Sequence, residues 1–189
     1  MRREPDFNRD RMEGQMNPEE RELLYRLVLE NEPHICVESG TCLGGGSTYF
    51  VASALYNLDA GGVIHTVEIF DEFFDRAKKL YRNDLAYLNP FVKFHRGNTL
   101  DTLKYLAITL PKIDFAVLDG GACPVKILYD YCLLRDSIPV GGIACFHDWD
   151  SKKGTLIKPL MEADEDWRLI EKQIELAAWR RIDDTHGRS

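Results

Sequence analysis

The sequence lacks the features that mark several whole classes of protein. Its longest apolar runs, such as Phe115 to Leu118, are a few residues long, far below the roughly 20 needed to cross a bilayer as a helix. The N-terminal MRREPDFNRDRMEG is charged with no hydrophobic segment behind it, so it does not read as a secretory signal. No Lys/Arg run exceeds a pair, and 24 basic against 31 acidic residues leave a formal net charge of −7. A polyanion or an anionic leaflet needs a basic footprint, so neither nucleic acid nor membrane is expected as a partner. The five cysteines, Cys36, Cys42, Cys123, Cys132 and Cys145, are odd in number and form no C-x-x-C. That argues against a disulfide framework and a structural zinc site. Cys36 and Cys145 sit in apolar runs and read as small core residues. A cytoplasmic location is the expectation.

What is present suits one globular domain over residues 1–189, with 44% apolar and 29% charged residues. An entry segment and first helix fill 1–32, and 183–189 is expected to fray. Asn17-Pro18-Glu19-Glu20 reads as N-cap, N1 proline and capping-box glutamate, followed by Leu23, Leu24, Leu27 and Val28 at helical spacing. HICVES, VIHTVE, FVKFH, IDFAVLD and GGIACFHD are short apolar runs separated by helical patterns, one of them Pro124 to Arg135 and another near Thr155 to Met161. Near-continuous apolar runs suit strands buried on both faces of a parallel sheet, so the class is α/β. The closing WRLIEKQIELAAWRRI holds two strand-like runs with almost no room between them, which only an antiparallel pair can accommodate.

Carboxylates gather at the strand ends. Glu38, Glu68, Asp119 and Asp148 close four of the runs, at the carboxyl edge where open α/β sheets bind ligands. The glycine-rich GTCLGGGST after the first run lets backbone approach a ligand and opens a helix N-terminus. Tyr49 stands where a dinucleotide fingerprint places its third glycine, and no G-K-[ST] follows for a P-loop. Acids facing that loop suit a ligand with hydroxyls and positive charge better than a pyrophosphate.

These motifs resemble those of class I S-adenosylmethionine-dependent methyltransferases. The narrower similarity is to the small O-methyltransferase-like group of macrocin-type sugar methyltransferases and cephalosporin hydroxylase, with catechol O-methyltransferase more distant. It covers roughly residues 14 to 182 and rests on VESGTCLGGGST, Glu68, GNT (Gly97 to Thr99), IDFAVLDGG, VGGIACFHD and the entry segment GQMNPEE. The resemblance implies a doubly wound, mostly parallel seven-stranded sheet in the order 3-2-1-4-5-7-6, with the last strand antiparallel. It implies a methyl group moved to a hydroxyl of a small-molecule acceptor. Gln15, Met16, Glu38, Gly40, Gly44, Ser47, Glu68, Asn98, Thr99 and Asp119 would serve the cofactor, with Glu68 on the ribose and Asn98 and Thr99 near the adenine. Asp119, His147 and Asp148 would be catalytic and match positions that hold a divalent ion in relatives, Mg2+ or Mn2+; His147 could equally pack with no metal bound.

Two departures bear on the chemistry. Relatives often continue the fourth strand as D-G-x-H, whereas Asp119 is followed by Gly120, Gly121 and Ala122, so that base is missing and Asp119, His147 or Lys126 would have to act. The extra glycine leaves the register of Gly44 to Gly46 open by one residue. Trp149 could wall an acceptor pocket or simply pack, while Phe70, Phe73 and Phe74 read as core. With few residues to shape a pocket, a homodimer partner could supply more. The alternatives are an S-adenosylmethionine-binding protein of the same fold without methyl transfer, and a nicotinamide-dependent oxidoreductase.

Overall fold

A computed structural model describes residues 5–7 and 16–183. Gln15 and the segment 184–189 lie outside the described residues. Helix α1 (Pro18–Asn31) starts with the expected capping box, in which Asn17 and Glu20 satisfy each other's end of the helix. There follow β1 (Ile35–Ser39), α2 (Ser47–Leu58), β2 (Val63–Glu68), α3 (Asp71–Asn83), β3 (Val92–Arg96), α4 (Thr99–Thr109), β4 (Phe115–Leu118) and α5 (Pro124–Leu134). The chain then runs through β5 (Ile143–Phe146), a 3-10 turn (Lys152–Thr155), α6 (Ile157–Ala163), β6 (Trp167–Gln173) and β7 (Leu176–Arg181). The last helix was expected near Thr155 to Met161; Ser151 and Gly154 tighten its first part into the 3-10 turn instead.

The sheet order is β3-β2-β1-β4-β5-β7-β6. All pairs are parallel except those of β7, which runs antiparallel to both β5 and β6. Alternate residues of one strand feed opposite cores: Cys36, Val117 and Cys145 join α1, α2 and Tyr81 of α3 on one face, while Val37, Leu118 and Phe146 join α4, α5 and α6 on the other. Burial on both sides explains why the strands read as unbroken apolar runs. Cys36 and Cys145 are buried and free, as expected. Trp149 packs: it is 3% exposed, between Phe146 and Trp179.

The aromatic group divides. Phe74 is buried, but Phe70 is 63% exposed, because it precedes the first helical residue and belongs to the β2–α3 junction rather than to the helix face. Among the described residues no helix is long and apolar enough to cross a membrane. The order of the strands places the C-terminal ends of β1, β2, β4 and β5 side by side, which is where the acids fall.

Candidate active site

The loop leaving β1 is held open by glycines and anchored from below by an acid. At Gly40 φ is +92°, and a Cβ there would come within 3.0 Å of the Asp119 carbonyl oxygen. At Gly44 φ is +77°, and a Cβ would meet the Tyr81 ring at 3.1 Å. Only glycine suits both positions, and the Tyr81 hydroxyl donates to the Gly44 carbonyl at 3.0 Å. Glu38 is fully buried under this loop, and its carboxylate accepts the hydroxyls of Ser47, Thr48 and Thr66. Burial pushes its pKa up to about 7 against the pull of those hydroxyls. Glu38 and the Ser47 side chain thus brace the loop from beneath through their mutual hydrogen bond. Gly46 is the N-cap of α2, whose first amides carry no side-chain cap.

Glu68 ends β2 and ties the edge laterally. Its carboxylate accepts the backbone N–H of Cys42 at 2.8 Å, and those of Ile69 and Phe70 at 2.8 and 2.9 Å. A carboxylate offers about four lone-pair positions, so one remains. Asn98 caps α4, accepting from the Asp101 N–H at 2.9 Å. The Thr99 hydroxyl donates inward to buried Asp130 at 2.8 Å, and Lys126 is committed to the same carboxylate at 2.6 Å. Met16 packs within the core on the α2 side.

Asp119, His147 and Asp148 converge as expected, each offering an atom within 4.8 Å of the others. The structure adds two residues that the sequence did not single out for the site. Glu20, fully buried, faces His147 Nε2 at 3.4 Å, while Asp119 faces Nδ1 at 3.3 Å. Lys153 donates to Asp119 Oδ1 at 2.5 Å, to Asp148 Oδ2 at 2.9 Å and to the Asp119 carbonyl at 3.1 Å. Charges thus alternate along Glu20, His147, Asp119, Lys153 and Asp148. Burial alone would lower the His147 pKa, but the hydrogen bonds to Asp119 and Glu20 raise it to about 10, so the imidazole is a cation at neutral pH. Burial likewise opposes the Asp119 charge, yet His147 and Lys153 hold its pKa below the ordinary value.

A family model described as a methyltransferase domain matches residues 37–149, over half of the chain. The chain belongs to the methyltransferase-domain family. This agrees with the class I S-adenosylmethionine-dependent resemblance carried by its motifs. No curated protein matches the methyltransferase domain in sequence. Solved structures match its fold. The O-methyltransferase TomG from Streptomyces achromogenes, involved in tomaymycin synthesis and in complex with S-adenosylmethionine, has a TM-score of 0.74 at 16% identity, covering 90% of this chain and 82% of that one. An O-methyltransferase from Bacillus cereus in complex with S-adenosylhomocysteine gives 0.71 at 19%, covering 89% and 83%. Methyltransferase PaMTH1 from Podospora anserina, bound to S-adenosylhomocysteine, gives 0.71 at 15%, covering 90% and 80%.

Glu20 was legible as a cap but not as a partner of His147, because the contact spans 127 positions of sequence. Lys153 left a fainter signal: it follows Asp148 by five residues, in a Ser-Lys-Lys-Gly turn that folds the chain back on the strand end.

Two outcomes are expected of variants. Glu38→Ala strands three buried hydroxyls and should destabilise the domain by about 2–4 kcal/mol in urea denaturation, with Glu38→Gln costing less; an alanine variant of wild-type stability would refute the anchoring role. Because the folded-state pKa of His147 is raised from 6.5 to about 10, its contribution to stability is complete below pH 6.5 and is lost as pH rises through about 10. His147→Gln should flatten that alkaline decline, and identical pH profiles would contradict the ion chain.

Proposed function

We propose that the methyltransferase domain moves the methyl group of S-adenosylmethionine to a hydroxyl of a small molecule at the carboxyl edge of its sheet. One observation carries this: a glycine loop with uncapped helix amides and a strand-end glutamate with a free lone pair lie beside a part-buried group of carboxylates. The loop from Gly40 to Gly46 would take the methionine part, its carboxylate against the first amides of α2. Glu68 would take the ribose. Ile69 and Phe70, 54% and 63% exposed next to it, offer an apolar surface to an adenine, with Asn98 at its other side. Met16 and Gln15 would belong to the segment over the methionine end.

The acceptor oxygen attacks the methyl carbon in line as the carbon–sulfur bond breaks, which leaves a neutral thioether and releases the acceptor proton. Acids near the sulfonium favour binding of the positive cofactor. At neutral pH His147 already carries its proton and does not serve as the base that the missing D-G-x-H histidine would have been. Asp148, whose side chain is 37% exposed, is the carboxylate of the group that reaches an incoming hydroxyl. Asp119 is the positioning residue between the two cations. A divalent ion at Asp119, His147 and Asp148 would supply Lewis acidity, but Asp119 and Asp148 both hold the Lys153 ammonium, so these residues do not fit it while that lysine stays in place. A second copy of the chain could complete the acceptor pocket.

The second reading, cofactor binding without transfer, is favoured by Ala122 standing in place of the family histidine. Calorimetric titration with S-adenosylhomocysteine should show one saturable site, weakened in Glu68→Ala by about 1–3 kcal/mol for a lost charged hydrogen bond. Production of S-adenosylhomocysteine from S-adenosylmethionine across a panel of hydroxyl acceptors then separates the readings. Absence of binding refutes both, and binding with no turnover on any acceptor supports the second.

A further inference from the structure

We propose that the site carries its own cation: the Lys153 ammonium occupies the place between Asp119 and Asp148 that a divalent metal would need, and the site works without one. The ammonium has three N–H donors. Each meets an oxygen of the site, Asp119 Oδ1 at 2.5 Å, Asp148 Oδ2 at 2.9 Å and the Asp119 carbonyl at 3.1 Å. The lysine is 7% exposed, so it is seated in the edge rather than resting on it. A metal bound to both carboxylates would have to break all of these bonds and expel the side chain.

The seat is constructed locally. Ser151 opens the 3-10 turn and its hydroxyl accepts the Lys153 N–H at 3.0 Å, while its own hydroxyl hydrogen goes to the Asp148 carbonyl at 2.8 Å. Gly154 packs so closely that a Cβ would fall 1.9 Å from the Trp149 carbonyl oxygen. Asp148 itself adopts a left-handed backbone with φ of 58°, a conformation that costs a non-glycine residue energy and persists only when its surroundings impose it. Both nitrogens of His147 already face carboxylate oxygens, those of Asp119 and Glu20. Every side chain that would ligate a metal therefore has a partner within the chain.

The ammonium delivers one positive charge where a metal would deliver two, and its saturated donors leave no open coordination position for the acceptor. Lys153 is thus a positioning residue: it fixes Asp119 and Asp148 and balances their charge. The functional consequence, methyl transfer independent of divalent metal, rests on the reading of this edge as the methyl-transfer site. The occupancy of the seat does not.

Titration with Mn2+, followed by the loss of the free-ion electron paramagnetic resonance signal, tests the seat with no cofactor present. The wild-type protein should show no saturable Mn2+ site that depends on Asp148, judged against Asp148→Asn. Lys153→Met, which keeps the length and removes the charge, should gain one such site, with affinity at least about tenfold above any wild-type binding. Circular dichroism checks that the variant is folded. Mn2+ binding to the wild type that Asp148→Asn abolishes would overturn the proposal on its own, even where the lysine variant does not fold. A folded Lys153→Met with no more affinity than wild type would also overturn it. Failure of the methyl-transfer reading would appear separately, as absent binding of S-adenosylhomocysteine.

Discussion

A chain of alternating charges, buried at Glu20, His147 and Lys153 and part-exposed at Asp119 and Asp148, organises the carboxyl edge of this sheet. Glu20 comes from α1, His147 and Asp148 from the end of β5, Asp119 from the end of β4 and Lys153 from the 3-10 turn. Removing charges from water is costly, and a buried ion pair is stable only when geometry and further hydrogen bonds satisfy it. Here each inner charge lies between two of opposite sign. Glu20 also accepts the Asn17 and Glu175 N–H groups, both at 2.8 Å, so the chain of charges reaches the helix cap at one side and the β6–β7 turn at another. Loss of His147 would leave buried Glu20 without its cation, and loss of Lys153 would leave Asp119 and Asp148 with one cation fewer.

The neighbouring half of the edge is built differently. Among the described residues no cation pairs with Glu38; hydroxyls hold it, and burial pushes its pKa up to about 7. Glu68 is held by backbone amides at the junction of β2 and α3 and by the Cys42 N–H of the glycine loop. The result is a loop fixed from beneath and from the side, next to an ionic group fixed from behind. Under the proposed reading, a cofactor with a positive sulfonium and two ribose hydroxyls would find acids on both sides, and an acceptor would meet Asp148, whose side chain is more exposed than that of Asp119.

Much of this was legible in the sequence, for physical reasons. Strands buried on both faces must be apolar throughout, so β1, β4 and β5 announced themselves, and the tight spacing of WRLIEKQ and LAAWRR required the antiparallel pair. The capping box at Asn17 and Glu20 follows from local chemistry alone. The convergence of Asp119, His147 and Asp148 was visible because strand ends share an edge. The direction in which a side chain points was not. Glu38 lies one residue before the end of β1, and the alternation of the strand turns it under the loop. Phe70 falls outside the helical period that Phe74 obeys. Lys153 depends on a turn that only Ser151 and Gly154 make possible, and Glu20 on a contact across most of the chain. Both residues change the chemistry assigned to the three that were foreseen.

The arrangement is tested most directly by a crystal structure of the protein with S-adenosylhomocysteine, grown in the presence of Mn2+. The thioether should lie over Gly40 to Gly44, the ribose hydroxyls on Glu68, and the Lys153 ammonium should remain between Asp119 and Asp148 with no anomalous peak for manganese there. A ligand bound away from that edge, or a manganese ion at Asp119 and Asp148 with Lys153 turned to solvent, would contradict it.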